Sequence, residues 1–96
     1  MKKHNFSSTL VKTIIGEDTF FKGTLHSQQS IRIEGNLDGE VNSQGEVFVS
    51  VNSKVKANIH AKHIIISGEV IGNIEAIKSL HIKKTGKVYG NISGDQ

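Results

Sequence analysis

The sequence predicts an all-β fold, a single-domain parallel β-helix of about five rungs. Three observations carry that prediction. A pattern of apolar, any, Gly or Ala, any, apolar returns every 15 to 18 residues, at Phe21–Leu25, Leu37–Val41, Val55–Ile59, Val70–Ile74 and Val88–Ile92. A second short alternating stretch follows four of these units, so each repeat holds two strand signals rather than one. Proline is absent from all 96 residues, which leaves every rung able to donate its N–H groups to the next.

The elements follow in order. Thr13-Ile14-Ile15 reads as the second strand of a rung that lacks its first half. Phe21–Leu25 opens the first complete rung and Ile31-Arg32-Ile33 closes it. The same pairing recurs as Leu37–Val41 with Val47-Phe48-Val49, Val55–Ile59 with Ile64-Ile65-Ile66, and Val70–Ile74 with Leu80-His81-Ile82. Val88–Ile92 begins a last rung. Two positions beyond each Gly-centred strand stands a small residue, Ser27, Ser43, Ala61, Ala76 or Gly94, where space is expected to be tight. Connections to the next rung alternate between six and four residues, so successive rungs differ at one corner. The wider corners, such as Gly16-Glu17-Asp18 and Lys84-Thr85-Gly86, are expected to face solvent.

Period-two alternation points Phe21, Gly23, Leu25, Ile31, Ile33 and their equivalents inward, and Lys22, Thr24 and Arg32 outward. The inward centre of each first strand is Gly23, Gly39, Ala57, Gly72 or Gly90. Glycine weakens a strand, so its return in one register indicates a steric demand, either a narrow lumen or a close backbone approach.

Composition excludes several functions. Without cysteine there is neither a disulfide framework nor a thiolate metal site, which suits a reducing cytoplasm. A net charge of +3, with Lys2, Lys3, Lys12, Lys83, Lys84 and Lys87 near the ends, is too small to argue for nucleic acid. Four Phe, one Tyr and no Trp provide little stacking surface for single strands or sugars. No apolar run approaches the ~20 residues that span a bilayer.

This register resembles the bactofilins, bacterial cytoskeletal proteins, in the runs Thr13-Ile14-Ile15-Gly16, Ser30-Ile31-Arg32-Ile33-Glu34-Gly35, Lys54-Val55-Lys56-Ala57-Asn58-Ile59, Ile64-Ile65-Ile66-Ser67-Gly68 and Gly86-Lys87-Val88-Tyr89-Gly90-Asn91-Ile92. The resemblance covers Thr13 to Ile92. It implies a right-handed β-helix of roughly triangular section that polymerises without nucleotide into nonpolar filaments. It also implies a place on the inner face of the cytoplasmic membrane, reached through a short N-terminal peptide, and a role in positioning cell-wall enzymes or shape determinants. The expected organisation is a tail over 1–12, the β-helix over 13–92 and a short tail over 93–96, with about 25 Å of body at ~4.8 Å per rung.

A solenoid leaves backbone groups unpaired on its first and last rungs, and these are templates for another chain. No amphipathic capping helix is read at either end. The expected polymer contacts are therefore Ile14, Ile15, Phe20 and Phe21 at one end and Val88, Tyr89 and Ile92 at the other. Self-complementary contacts at both ends would give an open, nonpolar filament. Stacking also places Arg32, Phe48, Ile65 and His81 in one outward column, in which Phe48 and Ile65 form a candidate lateral or partner patch. In the first twelve residues, Lys2, Lys3, Phe6, Leu10 and Val11 are the candidate membrane contacts, with apolar groups entering the surface and lysines meeting anionic lipid.

No catalytic, cofactor or metal residue is assigned. His60 and His63 form a His-x-x-His pair around a corner with no third ligand near in sequence. Asn58, Asn73 and Asn91 stack outward, where an amide ladder is the expected structural role. Rungs of 16, 18, 15 and 18 residues break the strict hexads of left-handed β-helix acyltransferases, and the Gly/Asp-rich turns of calcium-binding repeats are missing. A scaffold that binds a partner without polymerising is the alternative function.

Overall fold

The computed structural model describes residues 13–94, which form ten strands. They are β1 (Thr13–Ile15), β2 (Phe20–Ser27), β3 (Ile31–Ile33), β4 (Asn36–Ser43), β5 (Glu46–Val49), β6 (Lys54–Ile66), β7 (Glu69–Ile71), β8 (Ile74–Ile82), β9 (Lys87–Tyr89) and β10 (Ile92–Gly94). Every pairing is parallel. Three ladders result, one to each side of the coil. The first stacks Phe21, Leu37, Val55, Val70 and Val88. In the second stand Leu25, Val41, Ile59, Ile74 and Ile92, and in the third Ile15, Ile33, Val49, Ile66 and Ile82. Each ladder is five deep, so the β-solenoid has about five turns, and the steps of 16, 18, 15 and 18 residues read from the sequence are its true register.

The core is the inside of this coil. Ile31, Ile33, Leu37, Val41, Val47, Val49, Val55, Ile59, Ile64, Ile66, Val70 and Ile74 are fully buried, and Ala57, Ala61 and Ala76 fill the narrow positions among them. The buried serines Ser43 and Ser53 are satisfied locally. The hydroxyl of Ser43 donates to the Gln29 carbonyl at 2.8 Å and accepts from the Gly45 N–H at 2.9 Å, which ties two successive corners together.

Strand boundaries depart from the two-strand reading in two respects, the first being that the units Val70–Ile74 and Val88–Ile92 are each divided, between β7 and β8 and between β9 and β10. Second, β6 and β8 both run unbroken through a corner that the periodicity treats as a gap, with Lys62 alone between Ala61 and His63 in β6 and Ile77 and Lys78 at the matching corner of β8. The one-residue difference shifts the register between these two strands there.

The alternation of corner lengths has a steric cause. Wide corners close with a turn, in which Thr19 N–H donates to Gly16, Ser53 N–H to Ser50 and Gly86 N–H to Lys83, at 2.8–3.0 Å. The tight corners between them carry Gly35 and Gly68. A Cβ at Gly35 would strike the carbonyls of Gly16 and Thr19, and one at Gly68 would strike those of Ser50 and Ser53. Wide and tight corners thus interlock, with glycine where the upper one rests on the lower.

Candidate functional site

At the N-terminal end, β1 pairs only with β3 and β2 only with β4. At the C-terminal end, β9 pairs only with β7 and β10 only with β8, while Ser79–Ile82 of β8 pair only with β6. Each of the three ladders therefore ends, on both sides, in a strand with one unpaired edge among the described residues. These are short rows of N–H and C=O groups at the ~4.8 Å spacing of a further rung.

Apolar side chains surround both edges. Phe20 is 65% exposed and Ile14 is exposed beside β3. Ile15, by contrast, is 7% exposed and belongs to the core. Phe21 and Leu25 are half-buried and pack against the core, and the Phe21 ring lies 3.9 Å from where a Gly23 Cβ would stand. At the other end Tyr89 is 54% exposed, Ile92 is exposed and Val88 is half-buried. Ile82, 41% exposed, belongs with them and was missed by sequence reasoning. The signal was available, since Ile82 ends the third ladder as Val88 ends the first and Ile92 the second.

The outward column is Ile14, Arg32, Phe48, Ile65 and His81. Phe48 and Ile65 are adjacent in it and half-buried. Arg32 roofs part of this patch, its guanidinium carbon 5.1 Å from the Phe48 ring centre. Its Nε stands 3.1 Å from Glu34 Oε2, close enough for an ion pair but without hydrogen-bond alignment. Stacking on an aromatic face contributes about 0.5–1 kcal/mol at such a surface site. Lys2, Lys3, Phe6, Leu10 and Val11 lie outside the described residues.

The polar columns serve the coil. His60 approaches Glu75 at 3.8 Å while His63 Nδ1 lies 2.7 Å from Ser79 Oγ, so the two histidines turn to separate partners one rung on. Asn58 does not form an amide-to-amide ladder. Its Oδ1 accepts from the backbone N–H of Asn73 at 3.1 Å and so steadies the bend between β7 and β8.

Residues 13–96 match a family model described as Bactofilin, polymer-forming cytoskeletal. The chain is 31% identical over 91 residues to Bactofilin BacP of Myxococcus xanthus (strain DK1622). That alignment covers 95% of this chain and 38% of the relative, so the chain spans less than half the length of the curated protein it matches. No solved structure matches it.

Proposed function

This chain belongs to the bactofilin family of polymer-forming cytoskeletal proteins, and from that premise we propose that copies of it stack end to end, without nucleotide, into a nonpolar filament. The filament serves as a scaffold on the inner face of the cytoplasmic membrane for cell-shape or cell-wall factors. The observation that carries this reading is the pair of end rungs, each combining, among the described residues, an unpaired strand edge with exposed apolar side chains: Ile14 and Phe20 at one, Ile82, Tyr89 and Ile92 at the other.

The physical argument is one of repetition. Inside the coil each rung buries its apolar edge on a neighbour and pairs its backbone with it. Among the described residues the terminal rungs have such a neighbour on one side only, and the like end of a second copy offers another open apolar rung to cover it. Stacking ends needs no bound nucleotide, because the driving terms are apolar burial and strand pairing. The work of such a protein is structural, not catalytic. Surface attachment falls to the lysines and apolar residues of 1–12, each copy adding a weak contact that the polymer multiplies.

The test is sedimentation of purified protein with and without nucleotide, together with Phe20→Arg and Ile92→Arg. Equal pelleting with and without nucleotide, lost in each variant with the fold intact, is the expected result. Wild-type protein that stays monomeric at every concentration would sink the reading and leave a non-polymerising scaffold. For the membrane, co-sedimentation with anionic liposomes should fall when residues 1–12 are removed; unchanged binding would reject their role.

A further inference from the structure

The three wide corners form a ridge along one edge of the coil. Each closes with the same turn, Thr19 N–H to Gly16, Ser53 N–H to Ser50 and Gly86 N–H to Lys83. Each also sits between the same two ladder positions, after Ile15, Val49 and Ile82 and before Phe20, Lys54 and Lys87. The second residue of each turn is therefore Glu17, Val51 or Lys84, one column whose members stand two rungs, about 10 Å, apart. The tight corners between them hold the buried glycines Gly35 and Gly68, whereas all three tips are exposed.

The order along the ridge is acid, apolar, base. Glu17 with Asp18 makes the first tip, Val51, 55% exposed, the middle one, and Lys84 with Lys83 the last. The coil's own packing does not account for this order. Among the described residues none of these four charged groups is in an ion pair, and Val51 stands outside the core.

Equal spacing gives the column a symmetry. A second copy turned by 180° about an axis through Val51 brings its Lys84 opposite Glu17, its Glu17 opposite Lys84 and its Val51 against Val51, a self-complementary contact. Two ridges laid in the parallel direction would instead oppose like charges.

We propose that this ridge is a side-to-side contact with a second, antiparallel copy of this chain, with Val51 packed on the two-fold axis and Glu17 and Lys84 paired across it on either side. The occupant is a second copy because one chain carries both the charge sequence and its complement, at matching intervals. The contact lies on the flank of the coil and takes its strength from the end-to-end reading above, since exposed ion pairs contribute little singly and a filament repeats them. A nonpolar filament carries copies in both directions, so an antiparallel partner is at hand on its neighbour.

The chain has no cysteine, so Val51→Cys places a single thiol on the axis. Mild oxidation should link it into dimers at least ~10-fold faster than Gln44→Cys, an exposed site on another corner, and adding Glu17→Lys or Lys84→Glu should slow that rate at least ~10-fold. Both charge changes together restore the complement and should restore the rate. End-to-end stacking does not produce this disulfide. Val51 follows the third member of a five-deep ladder, so stacked copies of either polarity hold it about five rungs, roughly 24 Å, apart, where a disulfide needs Cα atoms within ~7 Å. Asn52→Cys, in the same exposed turn, serves if Val51→Cys melts early.

Pelleting of the same samples reads the filament separately. Filaments in which Val51→Cys links no faster than Gln44→Cys, or at a rate blind to the charge reversals, would overturn the inference and leave the filament reading standing. Protein that neither pellets nor links would overturn both. A V51C thiol that resists maleimide as well as oxidation would show the ridge covered by the chain's own residues, which also overturns the inference.

Discussion

At the scale of the residue, glycine and serine do what the apolar ladders cannot. Gly72 has φ of 145° and rests on the Ala57 carbonyl, so Gly72→Ala combines backbone strain with a collision. We expect a loss of at least about 2 kcal/mol, read as a fall in melting temperature, and a variant as stable as wild type would contradict the close approach. Ser43→Ala removes one group that serves two corners, with an expected cost of about 1–3 kcal/mol for the backbone partners left unmet. Chemical denaturation checks it, and an unchanged midpoint would show that water replaces the hydroxyl. The steric demand at the glycine register was legible in sequence. That it arises from backbone below rather than a narrow lumen was not, because periodicity reports which face a residue occupies and not how near the next chain passes.

Elements add the interlock of corners. Gly35 lies on the carbonyls of the wide corner Gly16–Thr19, so Gly35→Ala should destabilise the coil, whereas alanine at Gly16 makes only ordinary van der Waals contact, with the Thr19 hydroxyl at 3.7 Å. Paired thermal melts test this, and equal stability of the two variants would remove the steric account of the alternating corners. Strand order, ladder register and rung count could all be read from the spacing of apolar and small residues, since one residue of slip turns every side chain to the other face. The unbroken courses of β6 and β8 could not, because apolar spacing marks which residues face inward and not whether the chain stays extended through a corner. Likewise Ile15 stands near the chain's first described residue and yet is buried, because the coil rises as it turns and Ile33 stacks on it. Nearness to an end in sequence is not exposure at an end in space.

For the whole molecule the decisive feature is that, among the described residues, both end rungs keep an unpaired edge. The two ends present different surfaces. On the first, Ile15 is buried and Phe21 is half-buried against the core, while on the last the inward members Ile82 and Ile92 are themselves exposed. Ile82→Arg should therefore weaken assembly as much as Ile92→Arg and leave melting temperature nearly unchanged; size-exclusion chromatography showing full-sized polymer for Ile82→Arg would separate it from the junction. The measurement that tests the central claim most directly is negative-stain electron microscopy of the purified chain without nucleotide, beside Phe20→Arg and Ile92→Arg. Long filaments in the wild type, reduced to small oligomers by either substitution, are the predicted result. Compact single particles in the wild type, or long filaments that survive both substitutions, would contradict it.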